Sequence, residues 1–152
     1  MPVIMRHRIT RIAFVTLALS AAFSTAIRAE CLVPTRQIVL SDAFAFLGRV
    51  VTIQELDAQK RYLSATVEVD RVWKGNPPAR VSVVTDTFAV ESPRFIVGET
   101  YILHASAELP ERAQELALAP GTLWAGICAG TLSTSGDFSR LQLELGPGQP
   151  MK

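Results

Sequence analysis

Cysteine and histidine are scarce in this chain, at two residues each in 152. A structural zinc site takes four such ligands, and Cys31, Cys128 and His104 are too few to build one. Catalytic signatures are missing as well. There is no nucleophile elbow, phosphate-cradling glycine loop, dinucleotide fingerprint or His-Glu-x-x-His helix, so no cofactor is expected. Internal repeats and low-complexity tracts are absent, which excludes solenoids and disordered linkers. Neither sign of charge dominates, with fifteen basic and fourteen acidic residues. No apolar run reaches the ~20 residues needed to span about 30 Å of hydrocarbon.

The longest apolar run, Ile12 to Phe23, has a different meaning. A basic segment carrying Arg6, Arg8 and Arg11 precedes it, and the small residues Ser24, Thr25, Ala26 and Ala29 follow. Basic start, apolar centre and small-residue exit are the parts of a secretory signal peptide, expected here over residues 1–29. Cleavage after Ala29 leaves Glu30 first, and cleavage after Ala26 leaves Ile27 first. A lipid anchor is disfavoured because Glu30, not a small residue, stands before Cys31. Four basic residues leave with the signal, so eleven bases face fourteen acids and the net charge becomes −3. A nucleic-acid binder needs a basic stripe, and none remains. The expected product is one exported domain over residues 30–146 with a flexible tail at 147–152, a monomer in the periplasm or outside the cell, with no membrane attachment after cleavage.

Both cysteines lie in the exported part. In an oxidising compartment this reads as one disulfide, with two free thiols as the alternative. Such a bond closes most of the domain into one loop, worth about 4–5 kcal/mol in the chain-entropy model.

The body of the chain reads as mainly β. Residues 43–53 (AFAFLGRVVTI) are rich in branched and aromatic side chains, and Gly48 in their midst predicts a bulge or sharp bend. From Tyr62 to Trp73, Leu63, Ala65, Val67 and Val69 alternate with Ser64, Thr66, Glu68 and Asp70, the pattern of a half-buried strand. Lys74-Gly75-Asn76-Pro77-Pro78 is a strong turn, and Arg80 to Thr87 completes a hairpin. Further strands are expected at Thr100–Ala105 and from Leu123 to Cys128, with a short helix near Glu108–Leu118. Between Asp137 and Leu145 the leucines fit a strand or a helix. Phe138, Leu141 and Leu145, followed by Gly146-Pro147, tilt the balance to helix.

Candidate chemistry is thin. His104 sits within a strand, without a local partner to make it a base, and reads as structural. Glu68 and Asp70 share a strand face at about 7 Å, a spacing compatible with paired carboxylates, but their polar neighbours read as a solvated surface. Trp73 and Trp124 offer a binding platform or, more commonly, the rim of a core.

Taken in order, several pieces carry a resemblance. They are Cys31, Ser41-Asp42, Gly48-Arg49-Val50, Val67 to Gly75, Val97 to Leu103, and Cys128-Ala129-Gly130-Thr131. Together they resemble the netrin-like modules, the superfamily of the tissue inhibitors of metalloproteinases. The resemblance implies a five-stranded OB-like Greek-key barrel with one or two short helices, and a Cys31–Cys128 disulfide. It also implies a protease-binding ridge at Cys31, Leu32, Val33 and Pro34, where a terminal cysteine chelates the protease zinc through its amine and carbonyl. Glu30 before Cys31, and Val33 where the inhibitors carry a second cysteine, depart from that pattern. Three functions are therefore weighed. They are a non-enzymatic module binding a protease or an envelope component, a metalloproteinase inhibitor, and a hydrolase using Glu68, Asp70 or His104.

Overall fold

A computed structural model describes residues 34–89 and 91–152. The expected signal peptide, and Cys31, Leu32 and Val33, lie outside the described residues. The elements run α1 (Arg36–Val39), β1 (Phe44–Glu55), β2 (Tyr62–Lys74), β3 (Arg80–Asp86), β4 (Thr100–Ala105), α2 (Glu111–Gln114), β5 (Leu123–Trp124), β6 (Gly130–Leu132), α3 (Phe138–Leu145) and β7 (Gln149–Pro150). The mainly β expectation holds at this level.

Alternation decides which face each strand buries. Ala65, Val67 and Val69 of β2 point into a core shared with Phe46 and Val50 of β1, Val81 and Val83 of β3, and Leu103 of β4. Burying one such side chain is worth about 1.5–3 kcal/mol. β1, β2 and β3 pair antiparallel in sequence, and β4 returns along the first half of β1. The pairing register slips between Leu47 and Gly48. A Cβ on Gly48 would lie 2.8 Å from the Glu68 carbonyl oxygen and overlap the Val67 side chain, so the close approach of two backbones requires glycine. Gly75 closes the turn after β2 with φ +77°, a left-handed angle that other residues adopt at a cost.

The five-stranded closed barrel is corrected in two respects. The sheet has seven strands in the order β5-β3-β2-β1-β4-β6, with β7 on β2, and β5 runs parallel to β3. It is not a closed barrel. Its β5 edge reaches the end of β4 at a single bridge, where Ser106 and Trp124 exchange N–H···O bonds of 3.0 and 2.8 Å. One bridge is not a ladder. β5 stops after two residues, short of the strand expected to Cys128, and Cys128 itself takes φ +63°. The last residues also differ from a loose tail: Arg71 faces Pro150, Val72 faces Gln149, and Met151 N–H donates to the Asp70 carbonyl at 3.0 Å.

Among the described residues three short helices pack on the sheet. The helical reading of residues 138–145 prevails because Leu141 and Leu145 share one face. They are buried with Val39, Ala45 and Ile102, while Leu143 is exposed. α2 lies over Tyr62 and Val84 through Ala113. Among the described residues one buried side-chain polar group lacks a partner: the hydroxyl of Thr85, which has no solvent exposure, makes no hydrogen bond. No cysteine is free among the described residues. No described helix is long and apolar enough to cross a membrane.

Candidate binding site

The segment after Glu91 is held to the sheet by a buried tyrosine. Tyr101 of β4 donates its hydroxyl to the Arg94 carbonyl at 2.8 Å and accepts from the Ile96 N–H at 3.0 Å. Phe95, also buried, meets the Tyr101 ring edge-on at 5.5 Å between centroids. Burial raises the Tyr101 pKa above its ordinary value, so the phenol keeps the proton it donates. On the other side, Cys128 N–H donates to the Glu91 carbonyl at 3.0 Å, and a Cβ on Gly130 would stand 3.1 Å from the Pro93 ring. Segment 91–94 is thus fastened at both ends against β4 and β6.

Between that segment, β6 and Pro34 lies a cleft of about 280 Å³, which Cys128 also lines. Pro34 is kept there by Arg140 of α3, whose Nη2 donates to the Pro34 carbonyl at 2.9 Å. Ile96 and Val97 in the loop beyond residue 94, and Ile127 beside Cys128, are more than half exposed, an unusual state for large aliphatic side chains so close in the chain to one cleft.

His104 of β4 ties down the loop that carries Cys128. Its Nδ1 lies 2.5 Å from Asp42 Oδ2, and its Nε2 lies 3.1 Å from the Cys128 carbonyl oxygen. The Cys128 carbonyl can only accept, so Nε2 donates to it, while Nδ1 pairs with the Asp42 carboxyl. Asp42 stands 62 positions away in the chain. The structural reading of His104 therefore gains partners that no local spacing reveals. Between the Asp42 carboxyl and the Cys128 carbonyl, the ring clamps the loop before β6 to β4.

The remaining candidates are dispersed. Glu68 is gripped by two arginines, with Arg49 Nη2 at 3.1 Å and Arg80 Nη2 at 2.5 Å. The Arg80 hydrogen bond, then that of Arg49, lowers the Glu68 pKa, which keeps the carboxylate ionised and unfit to deliver a proton near neutrality. Asp70 is exposed. Trp73 donates its indole N–H to the Gly146 carbonyl at 2.9 Å in the cluster under α3, whereas Trp124 tilts against Tyr62 at 6.3 Å in the cluster under α2. The two indoles serve separate clusters and make no common platform. Of the expected ridge, Pro34 lines the cleft. Cys128, expected to hold the ridge, lines it too. Arg94, Tyr101 and Gly130 were outside the candidate set. Tyr101 and Gly130 fall in stretches that carry the resemblance, and Arg94 in the proline loop that precedes β4, but none of these marks a site by itself. Among the described residues no group of three His, Cys, Asp or Glu side chains is arranged to hold a metal ion.

Comparison with known proteins finds no matching family model and no matching curated protein.

Proposed function

We propose that this chain is an exported, non-enzymatic module of netrin-like, OB-type fold that binds a protein through the cleft between Pro34, residues 91–94 and β6. The observation that carries the reading is the concentration of exposed aliphatic side chains, Ile96, Val97 and Ile127, in the two loops that bound this cleft. Such loops, positioned by a rigid sheet, are where binding surfaces reside. The OB-type reading is supported by the strand path, in which the β1–β3 meander is followed by the return of β4 to β1 and by a parallel β5 on β3, within a sheet that stays open.

The Cys31–Cys128 disulfide belongs to the same proposal. It is supported by the absence of a free cysteine among the described residues. Pro34 and Cys128 line one cleft, and the chain from Pro34 back to Cys31 spans at most about 10 Å when extended. That closeness also favours a second reading, a metalloproteinase inhibitor acting through Cys31, Leu32, Val33 and Pro34. The inhibitor reading requires Cys31 to be the first residue after cleavage. An intact mass of the exported protein, with and without reduction, separates the two. A chain starting at Glu30 or earlier eliminates chelation by Cys31, and thiols that alkylate without reduction eliminate the disulfide.

Binding itself is tested with a photo-crosslinking residue at Ile127 in cells that export the protein, and a control at Gln59 in the β1–β2 turn. A discrete adduct from position 127 and none from 59 is expected. Equal labelling from both, or none from 127, refutes the site.

A further inference from the structure

β6 ends the sheet. It pairs with β4 along one edge, and no described strand pairs with the other. The direction of its backbone groups follows from the bonds that flank it. The Ala129 carbonyl accepts from His104 N–H at 3.0 Å, and Ser133 N–H donates to the Thr100 carbonyl at 2.8 Å. Residues 129, 131 and 133 therefore face β4. Antiparallel strands alternate, which turns both backbone groups of Gly130 and the N–H of Leu132 outward. The Leu132 carbonyl already accepts from Ser135 N–H at 2.9 Å. Three polar groups, two donors and one acceptor, are left on the open edge.

That edge borders the cleft, which Gly130 and Leu132 line. An open edge is a template for another strand, and proteins commonly guard such edges with charge, proline or a bulge. Gly130, Thr131 and Leu132 offer neither charge nor proline, and Gly130 has no side chain to screen its own amide. On the cleft's other wall Arg94 is exposed and takes part in no ion pair among the described residues.

Resting on the protein-binding reading, the geometry points to the partner's chemistry: an extended peptide segment that adds as a strand to the outer edge of β6, with one acidic side chain facing Arg94. Backbone pairing with Gly130 and Leu132 supplies affinity independent of side chains. The cleft and the Arg94 guanidinium supply selectivity.

The test selects random phage-displayed peptides on the purified exported protein and titrates the enriched peptide into isotope-labelled protein. Enriched peptides are expected to place an acidic residue among β-branched ones. Hydrogen exchange at the Gly130 and Leu132 amides is expected to slow by about tenfold, the effect of one added hydrogen bond, while Thr131, already paired with β4, is unchanged. N-methylation along the peptide is expected to weaken binding by about tenfold at alternate positions only, the signature of a strand. Arg94→Glu is expected to weaken binding by a similar factor without moving the unfolding midpoint. Failure to enrich any peptide, unchanged exchange at both amides in the bound state, or N-methyl effects without alternation each overturns edge pairing. If edge pairing fails while the Ile127 crosslink persists, the protein-binding reading stands alone. Loss of both removes the cleft as a site.

Discussion

Replacing Thr85 with valine should make this protein more stable. The side chain is wholly buried in β3, one pleat beyond Val83, and its hydroxyl has no hydrogen-bond partner. Folding strips that hydroxyl of water and returns nothing. Mutational data place the penalty for a buried, unpaired hydroxyl at about 1–3 kcal/mol. Valine keeps the branched shape, suits a strand equally well and puts a methyl where the oxygen stood. The expected gain is therefore about 1 kcal/mol, and up to about 3 if the methyl packs as well as its neighbours. In a domain of this size 1 kcal/mol shifts the thermal midpoint by roughly 3–4 °C. Urea unfolding followed by circular dichroism reads it directly, as a higher midpoint with an unchanged slope. Thr85→Ser is the control. It retains the orphan hydroxyl and loses a core methyl, so it should be less stable than the parent by about 1 kcal/mol. A Thr85→Val protein equal to or weaker than the parent would show that the hydroxyl is satisfied in the folded chain, and the reasoning would fall.

Three further outcomes follow from the packing and the charges. Gly48→Ala should destabilise by about 1–3 kcal/mol in the same urea assay, because the new methyl meets the Glu68 carbonyl oxygen at 2.8 Å and no rotamer relieves a backbone clash. Leu141→Ala should lose about 2–5 kcal/mol and detach α3, seen as faster amide exchange in residues 138–145, since Leu141 is the fully buried anchor of that helix. Stability should fall in acid. Burial would raise the Asp86 pKa, but hydrogen bonds from Arg61 and the Phe88 N–H outweigh it and the net shift is downward from 3.8. A carboxylate lowered on folding contributes stability that is complete above its unfolded pKa and lost as pH falls through the folded value. Asp86→Asn should flatten the loss of melting temperature below about pH 4, and an unchanged slope would show that Asp86 does not contribute to it.

Where neighbours in the chain decide a conformation, the reading from residues alone was close. β2 follows from the alternation of Ala65, Val67 and Val69 with polar residues, and one of the three register slips between β1 and β2 falls at the one glycine in β1. The 138–145 helix was legible with more difficulty, because leucines two and four apart fit both periods and only the face packed on Ile102 decides between them. Other features were hidden for one reason. A two-residue strand such as β5 or β7 has no period of its own and exists because a partner strand lies beside it. The closed barrel that the resemblance implies is not formed, and the strand expected from Leu123 to Cys128 stops at Trp124. Cys128, beyond that end, takes a left-handed φ of +63° that a continuing strand would not have.

The site divides along the same line. The sequence by itself determined that the strands are half-buried and where they bend, because side-chain alternation and backbone sterics act over a few residues. It also determined that a histidine would sit within a strand. Only the tertiary structure decided that this histidine faces Asp42 and the Cys128 carbonyl, that Glu68 is neutralised by two arginines, and that Pro34 meets Cys128 across a cleft. Each of those meetings joins residues from different strands or loops. Sheet order and register set such distances, and both are settled by long-range packing of the two faces rather than by any local pattern.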